Sequence, residues 1–436
     1  MRQRLHAPIV LPCDPACSVL RDAVVDIEED GRIGFVGPVS EAPGEAVITA
    51  LPGILLPGLI NTHAHTPMTV LRGMGGDLPL LRWLQDVIWP AEAQLTAADM
   101  YAGMLLGSVE MLRGGVTTSL EMYFHLDELA RAVLETGARA VLTGGIIEAP
   151  GFQWRKLLDV MNGLIDSHGL RYGPGDRIEL GYGPHSAYML SPVVLTEIAE
   201  AAHSRNALMH IHVAEAALED VAVRDAHGSV PKLLASIGFF GGRVVAAHSV
   251  HLSEADIALF AEHRVGVAHC PGSNAKLASG MAPVRALRDA GVAVGIGTDG
   301  PASNDDLDLW EDMRLAAMFT RLSTMDAAAL VAADVLLMAT RSGAAVLGRD
   351  DIGALETGRW ADVVHVSPDA PAFAGGLDVP DAQLLSNLVW AAGARQVRDV
   401  WVAGDQVVSE GETTMVDRAE AQAMAGAVTQ RLLAAG

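Results

Sequence analysis

Apolar and polar positions along this chain follow two different periods, and the change from one to the other divides it. Up to about residue 55, apolar residues recur at every second position in short runs, the period of a strand with one covered face. The stretch "AVVDIEEDGRIGFVG" holds two such runs joined by Glu29, Asp30 and Gly31, a hairpin signal. From about residue 350 the style returns in "GRWADVVHVS" and "QVRDVWVAGDQVVSEG". Neither end has enough strands to bury a face alone, so the two are expected to build one small β-domain together. Between them lie eight strand-like segments: 58–65, 115–122, 139–147, 177–185, 207–213, 243–249, 264–270 and 292–299. Helical patterns separate most of them, among them "DELARAVLETG" and "SPVVLTEIAEAAHSRN", the second opening on a serine cap and a first-turn proline. The alternation predicts an α/β fold: a closed (β/α)8 TIM-like barrel over residues 56–349, a β-sandwich domain from 1–55 and 350–412, and a C-terminal helix over 413–436. A doubly wound open sheet is the alternative arrangement of the same elements.

Composition narrows the function. Half of the 436 residues are hydrophobic and 19% are charged, ample for a large core. Acidic residues outnumber basic ones 53 to 30, a net charge of −23, which argues against a nucleic-acid-binding face or an anionic membrane surface. A small-molecule substrate fits better. Cys13, Cys17 and Cys270 make no disulfide framework and point to a reducing compartment. No sustained apolar leader follows the basic first residues, and every apolar run is broken before membrane-spanning length. The expected location is the cytoplasm.

In a parallel barrel, functional side chains gather at the C-terminal strand ends. Read in order, those ends carry His63 and His65, then His185, His212, His248, His269 and Asp299. His63 and His65 are two apart on a strand and therefore face one way. We expect His63, His65, His212 and Asp299 to hold a divalent metal. Three neutral imidazoles and one carboxylate leave a position for water, which suits a catalytic rather than a closed structural site. Asp299 closes an apolar run in which a bare carboxylate is costly without a cation or hydrogen bonds, although a helix N-cap is a competing role. Glu215, three residues after His212, is suited to shuttling a proton. His210 shares the face of His212 deeper in the barrel, as a core or supporting residue. His248 is either a fifth ligand or the group that orients the attacking water, and the second is expected. His251 and His269 are expected to be structural. A second metal would call for a bridging carboxylated lysine at a strand end. Lys156, Lys232 and Lys276 all lie elsewhere, so one ion is expected.

The segments "PGLINTHAH", "HVAE", "AHS", "HCPGSNAKLASG" and "GIGTDGPASND" together resemble the amidohydrolase superfamily, in its mononuclear, deaminase-like branch. The stretch "MTVLRGMGGDLPLLRWLQDVIWPAEAQLT" is similar to the loop after the first barrel strand of 5-methylthioadenosine/S-adenosylhomocysteine deaminases. The resemblance implies a (β/α)8 barrel with a β-sandwich and one divalent metal, Zn2+ being the usual ion. It implies hydrolysis of an adenine-type nucleoside (methylthioadenosine, S-adenosylhomocysteine or adenosine) to the inosine-type product and ammonia, often by a dimer or tetramer. The family's metal positions fall on His63, His65, His212 and Asp299. Its substrate positions fall on Glu92, whose carboxylate accepts from ribose hydroxyls, on His185 and on Glu215. Trp83 falls on an aromatic of the pocket wall, a role that competes with that of a core tryptophan. Residues 148–176 do not align with the family; Arg155 there is a further candidate contact, and the 5′ substituent is left open. In the implied reaction Glu215 protonates a ring nitrogen, while Asp299 and His248 accept from the attacking water. Guanine, pterin, cytosine and triazine aminohydrolases and cyclic-amide hydrolases share this frame. A non-catalytic binding barrel would have no use for Glu215 and His248.

Overall fold

The structure is a computed structural model and describes residues 2–149, 151–217 and 221–435. Eight strands form the barrel: β1 (Leu59–Ala64), β2 (Val116–Tyr123), β3 (Arg139–Ile146), β4 (Ile178–Pro184), β5 (Leu208–Val213), β6 (Val244–His248), β7 (Gly266–His269) and β8 (Val294–Ile296). Each pairs in parallel with the next, and β8 pairs with β1, so the sheet is closed rather than open. All residues of all eight are buried, as strands covered by helices outside and by packed side chains inside must be.

The seam between β8 and β1 is the shortest, with Ile296 opposite Asn61 as its one registered pair. The Asn61 side chain takes over where the ladder stops. Its carbonyl oxygen accepts the Thr298 N–H at 3.0 Å, and its amide donates to Thr298 Oγ1 at 2.7 Å. Gly297 sits in this seam because a Cβ there would lie 2.9 Å from the His63 backbone nitrogen and Cβ. The helices follow local signals. Ser191 accepts the Val194 N–H and starts Pro192–Arg205, and Gly137, at φ 76°, ends Leu126–Thr136.

The two chain ends meet in one nine-stranded mixed sheet. Ile54–Pro57 is its junction, parallel to Gln3–Val10 and antiparallel to Val363–Val366, and it runs directly into β1. Period-two patterning splits its side chains. Leu55 and Val363 join Leu5, Val25 and Trp401 in a cluster of the module's own, whereas Ile54, Leu56 and Val364 join the barrel core. The hairpin turns at Gly31, with φ 81°. Polar anchors tie this module to the N-terminal end of the barrel. Arg139, the first residue of β3, makes a bidentate buried pair with Asp362 at 3.0 and 3.1 Å. Arg177, just before β4, reaches the Val402 carbonyl and Asp405. The opposite, C-terminal end of the barrel is thereby left for the functional residues.

The helix Arg418–Ala435 packs on Ala97–Arg113, where Arg431 pairs with Asp99 at 2.5 Å. Thr429 donates to the Val70 carbonyl in the segment just past His65. No helix among the described residues is long and apolar enough to cross a membrane.

Candidate active site

At the C-terminal mouth of the barrel, β1 delivers His63 and His65, β5 delivers His212, β6 delivers His248, and the turn after β8 delivers Asp299. Asp299 lies three residues beyond the end of β8. It is held by a parallel bridge to Ala64, its N–H donating to the His63 carbonyl at 3.0 Å. The candidate ligand atoms of His63, His65 and His212 lie within 4.8 Å of one another. Asp299 Oδ1 sits 3.1 Å from His63 Nε2 and 3.3 Å from His65 Nε2. His65 Nε2 and His212 Nε2 are 3.3 Å apart.

The hydrogen bonds behind these rings fix where their protons are. His65 Nδ1 faces the Met122 carbonyl at 2.7 Å and His212 Nδ1 faces the His185 carbonyl at 2.8 Å. A carbonyl only accepts, so both Nδ1 atoms carry the proton and both Nε2 atoms present lone pairs. His63 is set by a longer chain. The Thr143 hydroxyl donates to the Glu121 carbonyl at 2.6 Å and accepts from His210 Nδ1 at 3.2 Å. His210 Nε2 is then an acceptor and takes the His63 Nδ1 proton at 2.7 Å. Three imidazole lone pairs thus point with a carboxylate oxygen into one small volume, without a proton between them. Such a donor set repels itself unless a cation sits at its centre, and these side chains could hold a metal ion.

Charge follows the same logic. Burial, then the neighbouring imidazoles, push His63 down to about 4, against the pull of Asp299. Burial and the adjacent rings bring His185 down to about 3 and hold His210 and His212 well below the usual histidine range. These rings are neutral at pH 7, the form that binds metals. Ser273 and Ser303 both donate to Asp299 Oδ2, at 2.6 and 2.8 Å, which turns Oδ1 toward the histidines.

Glu215 is buried beside His248, with its Oε2 3.7 Å from His248 Nε2. His248 Nδ1 faces the Asn274 carbonyl oxygen at 2.9 Å and donates to it, so its Nε2 lone pair also points into the mouth. His248, Ser249, Ala214 and Asp299 all have positive φ, between 50° and 65°. For residues other than glycine that conformation is strained, and its concentration here marks a site held by its surroundings. Cys270, close to His63 and His248, is buried, donates to the Ala268 carbonyl and is kept a neutral thiol by burial and the nearby carboxylates.

The other expected residues are placed as follows. The His185 ring lies 4.5 Å from that of His212, and its carbonyl orients His212. Glu92 accepts from the Tyr123 phenol at 2.6 Å. Trp83 is buried in the 72–95 loop, with its indole N–H on the Met74 carbonyl at 3.2 Å. Arg155 pairs with Glu197 at 2.6 Å on the outer helices, so any ligand contact would require that pair to open. His251 donates to the Ser279 carbonyl, and His269 is buried and neutral. Residues that sequence reasoning did not single out are Thr143, Ser273, Ser303, Asn274 and Tyr123. So is Glu121, which is wholly buried and accepts both the N–H and the hydroxyl of Thr66. Tyr123 is within reach of the strand-end rule: the sequence predicts the second strand over residues 115–122, and β2 ends one residue later.

A family model described as the amidohydrolase family matches residues 54–407. A 5′-deoxyadenosine deaminase of Methanosarcina mazei is 42% identical over 94% of this chain and 93% of its own length. A 5-methylthioadenosine/S-adenosylhomocysteine deaminase of Desulfitobacterium hafniense is 41% identical over 96% of each chain. The crystal structure of an adenosine deaminase from Xanthomonas campestris with bound zinc superposes with a TM-score of 0.91 at 36% identity, covering 99% of this chain and 98% of that one.

Proposed function

The chain belongs to the amidohydrolase family, and on that footing we propose that it hydrolytically deaminates adenine-type nucleosides, releasing ammonia and the inosine-type product. The substrates in view are methylthioadenosine, S-adenosylhomocysteine and adenosine, with 5′-deoxyadenosine added by the Methanosarcina relative. The observation that carries this reading is the convergence of three imidazole lone pairs and Asp299 beside a buried Glu215. The first four groups suit a cation, and the fifth suits acid–base work.

In this reading His63, His65, His212 and Asp299 hold one divalent ion, in the first instance zinc. That lysines 156 and 232 lie on helices and Lys276 pairs with Asp305 supports a single ion over a bridged pair. When bound, such an ion supplies Lewis acidity that brings the pKa of a water to about 7. The protein's own groups do the rest. Asp299 and His248 Nε2 accept from the attacking water and aim it. Glu215 donates a proton to the ring nitrogen beside the amino-bearing carbon, which makes that carbon electrophilic. Water adds there, and the tetrahedral centre collapses with loss of ammonia as the proton is relayed to the leaving nitrogen. Glu215 acts first as acid and then as base. Glu92 and His185 hold the sugar so that the carbon meets the water. The working form, again on the family resemblance, is a homo-oligomer, which light scattering reads directly.

The testing experiment is a panel scored by absorbance change and ammonia release, with metal content measured in parallel. Adenosine, 5′-deoxyadenosine, methylthioadenosine and S-adenosylhomocysteine are set against guanine, cytosine and a triazine. Turnover of the nucleosides alone supports the reading, and preference for a bare heterocycle overturns it. Metal binding without turnover of any member would reassign the chain to a binding role.

A further inference from the structure

Glu92 does not stand on the barrel. It closes the short helix Trp89–Glu92 in an excursion that leaves after Leu71 and returns at helix Ala97–Arg113. The excursion opens with Gly73 and Gly75 at φ 77° and 70°, and a Cβ on Gly73 or Gly76 would meet nothing within 4 Å. Leu80, Trp83 and Ile88 anchor this excursion in the core, but Glu92 stands off the barrel wall, and its carboxylate needs a fixed donor to keep one orientation. Tyr123, by contrast, is the last residue of β2, buried to 3% exposure, with its ring 6.4 Å from that of His65. Burial keeps its phenol protonated, and the proton lies on Glu92 Oε1 at 2.6 Å. Burial raises the Glu92 carboxyl, and the Tyr123 hydrogen bond holds it down.

We propose that Tyr123 is a positioning residue of the sugar subsite: its phenol latches the excursion to the rigid barrel wall and occupies Glu92 Oε1, leaving Oε2 for a substrate hydroxyl. The proposal rests on the reading of Glu92 as the sugar contact and deepens it. One oxygen pinned by a fixed donor makes the other a directed acceptor, so discrimination for the sugar hydroxyls depends on a residue that touches no substrate.

The test compares adenosine with 2′,3′-dideoxyadenosine in the metal-loaded protein and in Tyr123→Phe, Glu92→Ala and the double variant, with metal content and melting midpoint recorded for each. Tyr123→Phe is expected to raise KM for adenosine about 10-fold, the loss of one hydrogen bond to a charged group. Its kcat should stay within about twofold, and the dideoxy substrate should be unaffected. In the Glu92→Ala background Tyr123→Phe should add nothing further. Equal losses on both substrates, loss of metal or fold, or an unchanged KM for adenosine would each overturn the proposal. If Glu92→Ala itself retains the preference for adenosine, the sugar reading of Glu92 fails as well. If only Tyr123→Phe is silent, that reading stands and the latch alone fails.

Discussion

His210→Leu should weaken metal binding without touching a ligand. The imidazole of His210 is wholly buried and accepts the His63 Nδ1 proton at 2.7 Å, and its own Nδ1 is anchored on Thr143. Leucine fills a similar volume but offers no acceptor. The His63 N–H is then stranded at zero exposure, a cost of about 1–3 kcal/mol. His63 escapes that cost by moving its proton to Nε2, where it can donate to Asp299, and a protonated Nε2 cannot ligate. The same 1–3 kcal/mol is therefore charged against the metal-binding tautomer, which corresponds to roughly 10–100-fold in affinity, the range typical of partners behind a ligating histidine. The assay is chelator competition at fixed pH with metal content read by mass spectrometry, and His210→Gln serves as control because its amide oxygen can still accept. Equal affinities for wild type and His210→Leu would refute the tautomer argument. Loss of affinity in His210→Gln as large as in His210→Leu would assign the effect to packing instead.

Three further outcomes follow from other parts of the molecule. Glu215→Gln should lower kcat by about 10²–10⁴ with metal content unchanged, and metal loss or near-normal turnover would remove Glu215 from the proton relay. Gly103→Ala should destabilise by about 1–3 kcal/mol in urea titration, although alanine ordinarily favours a helix interior. A Cβ at that position of Ala97–Arg113 would lie 2.2 Å from the Pro67 carbonyl oxygen, backbone that cannot yield without disturbing the segment after His65. Asp351 gives an acid limb. Burial opposes its ionisation, but its pair with Arg349 and the charge of Arg171 bring it from 3.8 down to about 2. A depressed folded value stabilises above the unfolded one, so the contribution, about 2 kcal/mol at most, is whole above about pH 4 and is lost as pH falls through 2. Asp351→Asn should lower the urea midpoint at neutral pH, and its curve should meet that of wild type near the acid end. Parallel curves would discount the pair.

What could be read from the chain alone divides along a physical line. Strand periodicity is local, and so is the rule that functional groups sit at strand ends; together they point to His63, His65, His185, His212, His248, His269 and Asp299 at one mouth of the barrel. What makes these groups a working set is not local. His210 supports a residue 147 positions away, and Asn61 closes a seam with Thr298, 237 positions away. Ser273 and Ser303 reach Asp299 from two different loops. No alternation of apolar and polar residues encodes such pairs, because each member satisfies its own local pattern whether or not the partner is there. The same blindness touched Arg155 and Trp83. A cation on an amphipathic helix reads alike whether it serves a pocket or an acidic neighbour such as Glu197, and an indole ending the helix Leu80–Trp83 reads alike whether it walls a pocket or only fills the core. Tyr123 differs in kind. It obeys the strand-end rule and escaped only through a boundary one residue short. Polar residues one step beyond a barrel strand's expected end therefore deserve the same weight as those within it, and Tyr123→Phe measures whether that weight is functional.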